Sequence, residues 1–211
     1  MDGYLSPVSL LILPPIRASA RRNPAAMEEE PHFGLRAKRN LPGPGPAIRS
    51  DVAGFRVADA RRALAGLPLP GAYRIAIRPL HYRTRPSLSG LCEFDVGRIV
   101  VRVPEPFRAF DELVYFRARR KRGEGMRFAW VAEKAPFRTR RDVIRFIYLH
   151  EWLHWYMREV LHRRAGAETA CDRFALRNFR RRQVTVEDAI EALRGCRTQP
   201  LPLWEELAEA A

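Results

Sequence analysis

The chain has few cysteines and none in a close pair. Cys92, Cys171 and Cys196 form no CxxC, so neither a disulfide framework nor a zinc-finger site is signalled, and a reducing compartment, the cytoplasm, is the expected setting. Long apolar runs are also missing. Leu10-Leu11-Ile12-Leu13 is bounded by Pro7 and Pro14-Pro15, far short of the roughly 20 residues that cross a bilayer. A secretory leader is poorly supported: Ala18-Ser19-Ala20 looks like a cleavage site, but Asp2 precedes it and no Lys or Arg occurs before Arg17. There is no internal repeat. A length of 211 residues suits one ordinary domain with a tail.

Acidic residues are scarce before position 150. The net charge is +14, from 38 Lys and Arg against 24 Asp and Glu. From His150 onward ten basic residues face ten acidic ones, so the entire surplus lies upstream. Such a field attracts nucleic acid, anionic lipid or an acidic protein, and composition does not choose among them.

Residues 1–50 hold eight of the 17 prolines, and Leu41-Pro42-Gly43-Pro44-Gly45-Pro46 suits neither helix nor strand. They are expected to be a disordered tail, dispensable for the fold, with a single domain over 51–211. Further along, a helix is expected from Val57 to Ala65, stopped by Gly66. Tyr73, Ile75 and Ile77 alternate with Arg74, Ala76 and Arg78, the period of a strand with one buried face. Cys92-Glu93-Phe94 and Arg98–Val103 read as a hairpin turning near Gly97. Met126–Ala132 is another strand candidate, and the basic run Arg117–Gly123 reads as a solvated loop.

Thr139 and Asp142 make a capping box, and no Gly or Pro follows until Gly166. A helix of about twenty residues is expected there, with apolar residues nearly all the way round. Two more helices follow, from Ala167 into Arg182 and from Val186 to Arg194, the latter capped by Thr185 with Asp188. Helix, strands, then helices make an α+β fold.

On the long helix the polar residues His150, Glu151 and His154 need a reason. Histidines four apart are rotated by about 40° and separated by about 6 Å along the axis, so both imidazoles reach one ion, and zinc suits them. Glu151, about 100° round from His150, reaches water beside the ion without being a ligand itself. It is the candidate general base.

Four residues compete to be the third ligand: His162, Glu168, Cys171 and Asp172. His162 would lie about 12 Å up a continuing helix and reads as a helix-end histidine. Cys171 reads as a small core residue. Glu168 follows the Gly166 break on a helix that can fold back, with Asp172 one turn further on the same face. Glu168 is therefore expected to bind zinc, and Asp172 to accept the second ring N–H of a ligating histidine. His81 and Tyr82 have the chemistry of an oxyanion donor, and that role stays unassigned.

The segment His150-Glu151-Trp152-Leu153-His154, followed by Glu168-Thr169-Ala170-Cys171-Asp172-Arg173-Phe174-Ala175, resembles the gluzincin pattern HExxH then ExxxD. Phe174-Ala175 is similar to the end of the second motif in the ImmA/IrrE-like metallopeptidases. The resemblance spans about residues 90–180. It departs at Leu153, where a glycine is usual, and at Cys171, where another small residue stands. It implies a minimal zincin-like domain, a small sheet with a hairpin packed on the HExxH helix and on a ligand-bearing helix. It further implies a zinc metalloendopeptidase that cleaves a protein or peptide substrate with metal-activated water and Glu151 as base. Two alternatives stand beside it: a basic nucleic-acid-binding protein, using Arg117–Arg122 and Arg180-Arg181-Arg182 with a structural metal, and an inactive scaffold for protein interaction.

Overall fold

The computed structural model describes residues 46–121, 127–163 and 167–194, giving the backbone alone for 118–121 and 127–129. Within these residues the fold is α+β, with four α-helices and two small sheets. Most of the expected tail, 1–45, lies outside the described residues. Its last three residues do not behave as tail: β1 (Ile48–Ser50) pairs in parallel with β2 (Arg74–His81), matching Ile48 with Ile75.

The first sheet has the order β1-β2-β4-β3. Between β1 and β2 the chain crosses over through α1 (Val57–Leu64), as parallel neighbours require. Gly66 follows at φ +77°, and a Cβ there would collide with the Arg182 carbonyl. β3 (Ser89–Glu93) and β4 (Arg98–Glu105) form the expected hairpin, with Gly97 supplying φ +63° at its turn. β4 also pairs in parallel with β2, so Ile75 and Ile77 stand beside Ile99 and Val101 in the core. That leaves β3 as one edge strand and β1 as the other.

A long two-stranded ribbon follows, β5 (Phe110–Lys121) and β6 (Arg127–Phe137). The basic run expected to be a loop is strand from Arg117 to Lys121, while 122 and 123 lie outside the described residues. Composition misled there: the arginines alternate with Phe116 and Ala118, and cross-strand pairing with β6 supplies what local propensity does not. At the base of the ribbon Phe110 stacks on Phe137, which also meets Phe146 and Phe179.

Helix α2 (Arg140–Trp155) starts at the expected box: Asp142 N–H donates to the Thr139 hydroxyl, and Thr139 N–H to the Asp142 carboxylate. It ends in a π-helical turn, Tyr156–Val160. The helix is buried nearly all round, and Arg145 is only 2% exposed. That guanidinium donates to the carbonyls of Ala63 in the last turn of α1 and Ala65 just beyond it, and to Phe179 and Arg181 after α3 (Glu168–Asn178). Helix α3 stops four residues short of the expected Arg182, and α4 (Val186–Leu193) closes the described chain. No described helix is long and apolar enough to cross a membrane.

Candidate metal centre

Three elements meet at the middle of α2. Leu149, Trp152 and Leu153 anchor that helix in the core, leaving His150, Glu151 and His154 to line a cleft of about 660 Å³. One wall of the cleft is β3 and the other is β5, from Glu112 to Tyr115, while the first two turns of α3 bring in Glu168 and Asp172.

The imidazoles of His150 and His154 converge, with their Nε2 atoms 3.1 Å apart. Glu168 reaches across from α3 and sets one carboxylate oxygen 3.2 Å from His150 Nε2 and the other 3.4 Å from His154 Nε2. A tetrahedral zinc with bonds of about 2.0–2.2 Å separates its ligand atoms by roughly 3.3–3.6 Å. The donors thus fit that ion with shifts of only tenths of an ångström, and nitrogen with carboxylate oxygen is the set zinc accepts.

Cys171 adds a fourth donor. His150, His154 and Cys171 form a cluster that could hold a metal ion, their ligand atoms lying within 4.8 Å of one another. A thiolate on zinc at about 2.3 Å would stand roughly 3.5 Å from a neighbouring nitrogen, a separation that falls inside the 4.8 Å bounding this cluster. Fully buried, it is also the core residue that the sequence suggests.

Asp172 accepts from His150 Nδ1–H at 2.9 Å, the bond that fixes which ring nitrogen turns to the cleft. Burial lowers the His150 pKa, but the hydrogen bonds to Asp172 and Glu168, aided by the charge of Glu151, outweigh it and raise the value to about 10. In return the two histidines hold the Glu168 carboxyl well below the usual range. The cluster is built to accept positive charge.

Glu151 is 8% exposed. Burial raises its pKa, partly opposed by His150 and His154, and the backbone N–H of Cys92 donates to its carboxylate. Gly90 on β3 lies directly against it: a Cβ there would sit 2.6 Å from Glu151 Oε1 and would also strike Ile147. Neither β3 residue is visible as functional in the sequence, because one contributes a backbone group and the other an absence. Alternation around Cys92 locates the strand but does not tell which helix residue it touches.

His81 and Tyr82 do not line the cleft, and the Tyr82 hydroxyl donates to the Pro106 carbonyl. His162 is exposed beyond the π turn, at φ +49°, and is likewise absent from the cleft. Of the four candidate third ligands, then, Glu168, Cys171 and Asp172 gather around the histidine pair and His162 does not. No protein-family model, curated protein or solved structure matches this chain.

Proposed function

We propose that the chain is a zinc-dependent metalloendopeptidase of gluzincin type, similar to the ImmA/IrrE-like peptidases and built on a minimal zincin-like domain. The observation that carries this reading is the triangle of His150 Nε2, His154 Nε2 and the Glu168 carboxylate, with separations of 3.1, 3.2 and 3.4 Å, facing a cleft beside a buried glutamate. A zinc ion held there supplies Lewis acidity and lowers the pKa of water at its open side to about 7.

The protein's own groups perform the rest. Asp172 keeps the His150 ring in one tautomer and orientation. Glu151 takes a proton from the attacking water and returns it to the departing amine nitrogen, a task that suits a carboxylate whose pKa burial has raised. The Cys92 N–H and the bare backbone of Gly90 keep that carboxylate in place. The edge of β3 lies along the cleft, where an extended peptide can add as a further strand.

The test is metal content together with hydrolysis of casein, for the wild type and Glu151→Gln. About one zinc per chain, with cleavage by the wild type alone, supports the reading. Zinc without hydrolysis by either protein leaves an inactive scaffold, and a protein that takes up no zinc sinks the metal site itself.

A further inference from the structure

The helices pack on one face of the first sheet. Ile75, Ile77, Ile99 and Val101 turn into the core cluster shared with Ala60 of α1 and Ile144 of α2, and strand alternation sends the residues between them to the opposite face. There the parallel register of β2 and β4 sets Arg74 beside Arg98 and Arg78 beside Arg102, and β1 adds Arg49 beside Ala76. At the centre Ala76 and Val100 are buried without belonging to that core cluster, as small apolar side chains are when long arginine stems lie across them. None of these arginines belongs to the basic runs 117–122 and 180–182. Positions 49, 74, 78, 98 and 102 become one surface only through strand pairing.

Five guanidiniums meet two carboxylates. Arg98 pairs with Glu93 of β3 and Arg49 with Asp51, while Arg74, Arg78 and Arg102 form no ion pair among the described residues. Arg74 donates to the Val96 carbonyl and Arg102 to the Ser89 hydroxyl. Arg49, Arg74 and Arg78 are exposed. Like charges in cross-strand register repel, and a bound polyanion relieves that repulsion. The cations stand at three levels two residues apart, recurring about every 6.6 Å along the strands. Phosphates on one strand of a DNA duplex rise by about 3.4 Å each, so successive levels meet alternate phosphates. The residues between the arginines, Ala76, Val100 and Leu91, include no aromatic ring, and unpaired bases have nothing there to stack on. Docking on a membrane uses a cluster of large apolar side chains, of which Leu91 alone is exposed among these.

We propose that the arginine-bearing face of the β1-β2-β4-β3 sheet binds the phosphate backbone of double-stranded DNA, a function separate from the metal centre. The full-length protein is titrated into a fluorescein-labelled duplex of about 20 base pairs over a range of salt, with anisotropy as readout. Oligothymidylate of the same length and phosphatidylserine vesicles serve as competitors. Arg78→Gln with Arg102→Gln should make the slope of log affinity against log salt shallower by about 1.8, two phosphate contacts at about 0.9 each. The same charge removed elsewhere, by Arg61→Gln on α1 with Arg117→Gln on the ribbon, both exposed, should leave the slope as in the wild type. An unchanged melting temperature shows that the fold is intact; where the double variant melts early, Arg74→Gln alone should make the slope shallower by about 0.9. Because only the backbone is contacted, scrambling the duplex sequence should not change the affinity. The proposal is overturned if the duplex does not bind, if the sheet variants keep the wild-type slope, if the control pair lowers it as much, or if oligothymidylate or the vesicles compete better than unlabelled duplex. None of these outcomes depends on zinc or on peptidase activity.

Discussion

Gly90 and Glu151 are in contact through the space a side chain would need: a single carbon added to Gly90 would lie 2.6 Å from the carboxylate oxygen. Gly90→Ala should therefore shift Glu151 while leaving His150, His154 and Glu168 alone. Zinc content should stay near wild type while kcat on casein falls about 100-fold, the cost of misplacing a reacting group by about 1 Å. Full activity in Gly90→Ala would remove Glu151 from the role of base held by β3.

The roles proposed for the carboxylates around the histidines can be separated by substitution. Glu168→Ala should lose both zinc and activity, whereas Glu151→Gln should keep zinc and lose activity alone. Asp172→Ala should weaken zinc affinity or activity by about 10- to 100-fold without emptying the site at high zinc. Titration of each variant with a chromogenic chelator orders them. An emptied site in Asp172→Ala beside a filled one in Glu168→Ala would exchange the two assignments.

Cobalt substitution distinguishes Glu168 from Cys171 as the third ligand. The Glu168 carboxylate lies 3.2 and 3.4 Å from the two Nε2 atoms, and with it as third ligand the cobalt protein should show tetrahedral visible bands without a near-ultraviolet thiolate charge-transfer band. Cys171→Ser should bind cobalt with unaltered stoichiometry. A charge-transfer band that disappears in Cys171→Ser would make the thiol a ligand.

Arg145 satisfies carbonyls at the ends of two other helices. Arg145→Met fills much of the same space but orphans those acceptors, each worth about 1–3 kcal/mol when buried without a partner. Loss of at least about 3 kcal/mol in urea denaturation is expected. A variant as stable as wild type would mean that water replaces the guanidinium.

The Cys92 thiol is pushed up from 9.0 to about 12, chiefly by burial and then by the negative charge of Glu151. Its pKa in the folded state is the higher one, so its contribution to stability is complete below the unfolded value near 9 and is lost as pH rises towards 12. Tyr73, raised to about 12, and Tyr148, raised further, act in the same direction. The urea midpoint should fall between pH 9 and pH 11, less steeply in Cys92→Ala, and iodoacetamide at pH 8 should leave Cys92 unmodified until the protein is unfolded. Rapid modification of the native protein would contradict the burial.

Periodic and capping signals were the legible part of the sequence. Thr139 with Asp142, Thr185 with Asp188, and Gly97 in its turn each appear where local chemistry puts them. The spacing of His150, Glu151 and His154 likewise foretold side chains sharing one face, because a helix leaves that geometry no freedom. Three things were hidden. Ile48–Ser50 becomes a strand only because β2 lies beside it. Arg117–Lys121 looked like loop because cross-strand partners are invisible to composition. Arg145 passed for one charged residue among many on a long helix, since the carbonyls that bury it come from positions 63, 65, 179 and 181.

Arg145 also ties together the two helices that carry the candidate metal donors. It sits five residues before His150 on α2, and it grips the chain just beyond the end of α3, the helix that starts with Glu168. The angle between α2 and α3 is thus tied by hydrogen bonds to backbone carbonyls, away from the candidate donors. In a zinc finger the ion is the cause of folding; the cage proposed for this protein would instead be set in place by the fold. Chelation should leave the near-ultraviolet dichroism of this protein essentially intact, and zinc should return to a ready-made cage at a rate set by its own diffusion and dehydration rather than by refolding of the chain.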